Sequence, residues 1–373
     1  MALFTPNIAF LNFKVDEFFG EIVFEASGTY TIEIDTPGGS ATTAGGLVYD
    51  ISNDKYLIPN GVRLASAGIT AIAVGAGGGA SGGNGSDGGM GGGGGALSYM
   101  NNYGAGALTA GNQFTVIVGG GGTGGPRLTA SNSSAINGTA GGISKLVQVS
   151  DSSELIIGNG GAGGVFTDGF ALGGASSGTA RNGGGDGGAG GTQFGGNDGT
   201  GGGGAGGYNN NGGKGFNENQ SRIFYTNLGA GGSGAGGNHT RDARNAYSYT
   251  GGGGVALYGI GNSGTVTFDA YARAQFAATQ GSLNVAPATA EVGVQKFGNG
   301  RGIGAGGGGL EDDASASGGT GGNGGVRIVF GGASNPRSFP STNVGQSSSL
   351  GNVLTVTGSA GAGDYGGQNQ FGT

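Results

Sequence analysis

The strongest constraint in this chain is glycine recurring on a period of three. From Gly82 the sequence reads Gly-Gly-Asn, Gly-Ser-Asp, Gly-Gly-Met, Gly-Gly-Gly, Gly-Gly-Ala as far as Ala96. The same register returns in Gly184-Gly185-Asp186-Gly187-Gly188-Ala189-Gly190-Gly191-Thr192 and in Gly318-Gly319-Thr320-Gly321-Gly322-Asn323-Gly324-Gly325-Val326. Shorter runs occupy 119–127, 158–165, 201–207, 212–215, 229–237, 251–254 and 304–309. Three residues per turn, at about 3.1 Å rise, is the geometry of a polyproline-II-type helix. Such a helix makes no internal hydrogen bonds, so its N–H and C=O groups need lateral partners. Two positions in three without a Cβ let neighbouring helices approach closely enough to bond, with Cα–H···O contacts assisting. One rod cannot satisfy itself. Many runs of similar length therefore predict a bundle.

Composition narrows the alternatives. Glycine supplies 101 of 373 residues, but seven prolines are far too few for collagen. The absence of cysteine excludes disulfides, thiolate nucleophiles, zinc fingers and iron–sulfur clusters. A single histidine, His239, cannot build a multi-histidine metal site. Disordered chains are charge-rich and aromatic-poor, whereas this one is 10% charged and carries 18 Phe and 12 Tyr. Flexible linkers are the other reading of glycine runs. These runs, however, abut strand-like segments almost everywhere. Scattered basic residues, 15 against 22 acidic, with a formal net charge of −7, argue against a nucleic-acid partner. Residues 1–7 lack a basic region followed by an apolar one, and no apolar run reaches 18 residues. Neither a cleaved export signal nor membrane insertion is expected.

Period-2 and β-branched patterns predict strands at 21–25, 29–34, 69–74, 113–118, 154–157, 254–258 and 326–330, with Ser27-Gly28 as a hairpin turn between the first two. The expected fold is mainly β plus a polyglycine-II-type helix bundle, without substantial α-helix. The expected division is an attachment or oligomerisation region at 1–75, a glycine-rich domain at 76–332 and a β or irregular tail at 333–373.

Motifs for chemistry are weak. Gly75-Ala76-Gly77-Gly78-Gly79 follows a strand, yet no amphipathic helix succeeds it as a dinucleotide site requires. Gly82-Gly83-Asn84-Gly85-Ser86-Asp87 resembles a β-roll calcium repeat, but Gly89 stands where a large apolar residue is needed and no tandem copy follows. Glu311-Asp312-Asp313 is the densest acidic cluster and reads as a solvated loop, with cation binding left open. His239 lies in a polar stretch without a nucleophile elbow. No cofactor and no enzymatic activity are expected. The candidate surface-binding residues are aromatics at the ends of glycine runs: Tyr99, Tyr103, Tyr208, Phe216, Tyr247, Tyr249 and Tyr258. Each could stack on a sugar or partner, or cap bare backbone. Mixed third positions such as Asn84, Asp87, Met90, Asp186 and Ala189 argue against an ice-binding face.

The order of elements carries a resemblance. Gly28-Thr29-Tyr30-Thr31-Ile32, a strand entering Gly77-Gly78-Gly79, Gly91–Gly95 followed by Ala96-Leu97-Ser98-Tyr99, then 108–119 and 321–330 resemble the glycine-rich domain of bacteriophage tail fibres and related virion proteins. The stretch from Val326 to Asn343 resembles structural proteins of marine T4-like phages, especially cyanophages. Residues 40–62 and 262–300 look like insertions against that pattern. The resemblance implies a non-enzymatic virion protein made in the host cytoplasm, a tail-fibre or host-recognition component. Its implied partners are other virion proteins, a host-surface glycan or protein, and copies of itself, for instance as a trimer. A capsid fibre or decoration protein is the alternative. So is a self-assembling filament pairing through exposed edges at 21–34 and 350–357.

Overall fold

The computed structural model describes residues 20–44, 47–60, 68–83, 88–126, 137–166, 171–191, 199–215, 233, 239–241, 247–249, 251–255, 257, 302–309, 317–330 and 352–356. Its regular structure is strand, apart from the five-residue helix α1 (Ser40–Ala44). One sheet contains β1 (Gly20–Phe24), β5 (Ile69–Val74), β6 (Leu97–Tyr103), β13 (Gly325–Phe330) and β14 (Asn352–Val356), in the order β14-β1-β13-β5-β6. A second contains β2 (Gly28–Ile34), β3 (Val48–Asp50), β4 (Lys55–Ile58), β7 (Gln113–Val118), β8 (Ser144–Gln148), β9 (Glu154–Gly158) and β10 (Ser176–Ser177), in the order β10-β9-β8-β7-β2-β4-β3. A short ladder joins β11 (His239–Arg241) to β12 (Tyr247–Tyr249).

The two larger sheets face each other across one apolar core. Ile22, Phe24, Ile69, Ala71, Val326, Ile328 and Phe330 meet Ile32, Ile34, Ile58, Phe114, Val116, Val118 and Leu146. Alternation along β2 and β7 leaves Thr31, Glu33, Gln113 and Thr115 on the opposite face. There Lys55 Nζ meets Glu33 Oε2 at 2.7 Å. The five-stranded sheet is covered on its other face as well, where Val23, Ile72, Val74, Leu97 and Tyr99 pack with Ala205, Tyr208, Val255, Leu257 and Ile303. All six residues of β5 and of β13 are consequently buried.

Four expectations are corrected. Ser27-Gly28 does not close a hairpin. β1 and β2 lie in different sheets, because Ile22 and Phe24 reach the shared core from one side and Ile32 and Ile34 from the other. Residues 21–34 are not a free edge: β1 lies between β14 and β13, and β2 between β7 and β4. The three regions expected at 1–75, 76–332 and 333–373 share sheets, since β1 pairs with both β13 and β14. Residues 254–258 form no strand among the described residues, and Val255 instead donates to the carbonyl of Ile303. The insertion at 40–62 is built in, with β4 parallel to β2 at the side of the larger sheet.

Candidate binding end of the glycine lattice

The glycine segments continue the strands and change their period. Antiparallel pairing of Val74 with Leu97 is followed by bonds from Gly75 N–H to Ala96 O, Gly78 to Gly93 and Ser81 to Met90, each 2.8 Å, one every third residue. The residues between them turn elsewhere. Ala76 and Gly79 donate to Gly142 and Thr139, while Gly77 and Ala80 donate to Gly322 and Gly319. Carbonyls take the remaining directions: Ala76 and Gly79 accept from Gly161 and Gly164, Gly77 and Ala80 from Gly122 and Gly125, and Gly78 from Gly307. Segment 75–83 thus bonds to six neighbours, and each of the six also bonds to the next around the ring.

Segment 88–96 is encircled in the same way. Gly92 and Gly95 donate to Gly307 and Gly304, Gly93 and Ala96 to Ala162 and Asn159, and Gly94 and Leu97 to Gly188 and Gly185. The pattern stacks the segments in layers. Segments 137–143, 158–166 and 171–175 form one outer layer. Segments 119–126, 75–83, 88–96 and 183–191 form the middle layer, and 317–324, 302–309, 199–207 and 210–215 the third. Spacing this close requires glycine at the contacts: a Cβ on Gly94 would lie 2.0 Å from the Gly204 carbonyl oxygen, and one on Gly92 2.2 Å from that of Gly78. Outward positions on the rim accept side chains, and Thr123, Pro126, Asn137, Ala140, Leu172, Ala175 and Lys214 are all exposed.

At the end remote from the sheets, the described ends of five connections come level. Phe166 N–H donates to Asn137 Oδ1 at 3.0 Å. Gly318 donates to Gly125, Gly190 to Ala171, Thr200 to Gly89 and Gly309 to Thr200. Gly82 lies against the Pro126 carbonyl. Two hydroxyls close the backbone here: Ser81 Oγ accepts from Met90 N–H at 2.7 Å, and Thr200 Oγ1 accepts from Gly91 N–H at 2.8 Å while donating to Gly191 O at 2.7 Å. Stretches 84–87, 127–136, 167–170, 192–198 and 310–316 leave from this end and carry Asp87, Asp168, Asp198, Glu311, Asp312 and Asp313 against Arg127, while 216–232 leaves beside them after Gly215 and adds Glu218 and Arg222. They lie outside the described residues, as do the possible cation cluster and most of the calcium-like motif.

The aromatic candidates fall elsewhere. Tyr208 is fully buried and Tyr99 is 5% exposed, their rings 6.1 Å apart under the five-stranded sheet, so both are core residues rather than contact residues. Burial pushes the Tyr99 phenol up, against a downward pull from Arg181. Tyr103 is partly buried against the sandwich core, donates to Gln148 Oε1, and has its phenol raised first by burial and then by Asp151. Tyr247 and Tyr249 belong to β12, opposite Arg241 and His239 respectively in β11, so the polar stretch around His239 enters a strand pair. Phe216 and Tyr258 lie outside the described residues.

The backbone of 75–79 is committed to the lattice, in keeping with the sequence argument against a dinucleotide site there. Each of those five amides already donates to a lattice carbonyl, leaving none to cradle phosphate. Among the described residues no group of three acidic or histidine side chains could hold a metal ion, and no helix is long and apolar enough to cross a membrane. Sequence reasoning missed the convergence of the five connections, although the alternation of strand, glycine run, polar stretch, glycine run and strand was the available signal. No protein-family model and no curated protein matches the chain.

Proposed function

We propose that this chain is a non-enzymatic virion protein, a tail-fibre or host-recognition component in which a bundle of polyglycine-II-type helices holds recognition segments at its free end. The observation that carries the reading is the three-residue rotation of hydrogen bonds from 75–81 through a closed ring of neighbours. It matches what three residues per turn demands of a helix without internal bonds. A mesh of that kind is stiff at its base, and stiffness suits a scaffold that presents surface segments to a partner. The resemblance to phage glycine-rich domains supports the virion assignment, with other virion proteins and a host-surface glycan or protein as partners.

Two measurements test the two halves of this reading. Circular dichroism is expected to show a sheet component from the two sheets beside a polyproline-II-like component and almost no helix, with one cooperative melt; a broad melt would return the flexible-linker reading. Gold-labelled antibody to the chain is expected to decorate tail structures of virions made with it. Label confined to the capsid would move it to the decoration alternative. Purified protein that labels neither virions nor bacterial cells would end the assignment.

A further inference from the structure

The outer layer formed by 137–143, 158–166 and 171–175 is a hydrogen-bonding edge of the lattice. In the buried segments, consecutive amides rotate through three partners; here one of the three directions is open. The N–H and C=O of Ala140, Gly160, Gly163 and Gly173 take no partner among the described residues. The open groups recur at the lattice period, as Gly160 and Gly163 show within one segment. The layer contains no Asp, Glu, Lys or Arg. Its middle positions are small, with Ala140, Ala162 and Ala175 turned outward, while Ile143, Val165 and Leu172 are the exposed larger apolar side chains and Asn137 and Thr139 the exposed polar ones.

We infer that this layer is where two copies of the chain associate, each presenting the same face to the other. Open donors and acceptors at three-residue spacing are met together only by another chain in the same conformation, and this sequence supplies one. The lattice tolerates alanine at such contacts, since Ala76, Ala80, Ala96, Ala205 and Ala305 are fully buried within it. It also tolerates either chain direction: 75–83 bonds antiparallel to 88–96 and parallel to 158–166. A two-fold pairing is therefore allowed, whether its axis runs along the rows and keeps their direction or crosses them and reverses it. Charge favours this face, because two copies each carrying −7 meet most easily where neither carries charge. The longest segment of the layer, nine residues, spans about 28 Å at the rise of such a helix, so the contact is small and the association should depend on concentration.

The inference is independent of the virion reading, and its test does not involve virions. Sedimentation equilibrium of the full chain over about a hundredfold concentration range is expected to show a monomer–dimer equilibrium. The double variant Ala140→Glu, Leu172→Glu is expected to weaken it at least tenfold with an unchanged melting temperature. Hydrogen exchange adds a readout that general stickiness would not move: the amides of Ala140, Gly160, Gly163 and Gly173 should slow as concentration rises. A wild-type chain that stays monomeric throughout overturns the inference. So does association that survives the double variant, or that protects other amides instead.

Discussion

At the residue scale, the same amino acid is indispensable at one position and replaceable at another, and surrounding carbonyls decide which. A methyl group on Gly94 would collide with the Gly204 carbonyl at 2.0 Å, whereas the nearest atom to one on Gly120 is Ser27 Cβ at 3.6 Å. Gly94→Ala is expected to lower unfolding free energy by about 3 kcal/mol or more through overpacking of rigid backbone. Gly120→Ala should be neutral or stabilising by up to about 1 kcal/mol through the unfolded chain's entropy. Paired denaturant titrations check both. Tyr56 offers a second test at this scale. Burial, with smaller contributions from Tyr49, Tyr30 and Asp54, pushes its phenol from 10.0 up to about 12. The fold thus prefers the neutral phenol, and the associated stability is complete below pH 10 and lost as pH climbs toward 12. Tyr56→Phe should flatten part of that alkaline decline, read as the denaturation midpoint against pH.

At the element scale, a glycine segment has no side-chain core of its own, so its stability lies in bonds that rotate through several partners. The two closing hydroxyls matter for the same reason. Thr200 is fully buried and bonds Gly91 and Gly191 at once. Thr200→Val keeps the shape while orphaning a buried N–H and a buried C=O, with an expected cost of about 2 kcal/mol or more in thermal or chemical unfolding. The strands that border the lattice were largely legible, because β5, β7 and β9 show β-branched runs leading into glycine and β13 one leading out of it. β6 was not read as a strand, since Asn101 and Asn102 interrupt its apolar run. Its existence depends on pairing with β5 and on the bridge from Tyr99 to Gly183.

At the scale of the molecule, the inner glycine segments are completed by residues far away in sequence. Segment 75–83 lacks part of its ring until 302–309 and 317–324 arrive. Gly77 and Ala80 donate to Gly322 and Gly319, and β13 in turn separates β1 from β5. Sandwich and lattice are therefore expected to unfold together. A chain ending at residue 300 should lose the cooperative transition rather than yield a stable smaller domain, which differential scanning calorimetry would detect. In the intact chain, amides at 76–80 and 92–96 should exchange far more slowly than rim amides on the third direction.

The sequence by itself determined the conformation available to each stretch. Triplets of glycine allow a three-residue turn and close approach, alternating β-branched residues demand a half-buried strand, and the absence of cysteine removes covalent staples. Tertiary structure decided which stretch meets which. It sent β1 and β2 to opposite sheets, buried Tyr99 and Tyr208, and brought five polar connections to one end of the lattice. The physical reason is that period records which groups around a segment share a direction. A glycine backbone offers the same donors and acceptors in every run, so only the packed assembly selects the partner.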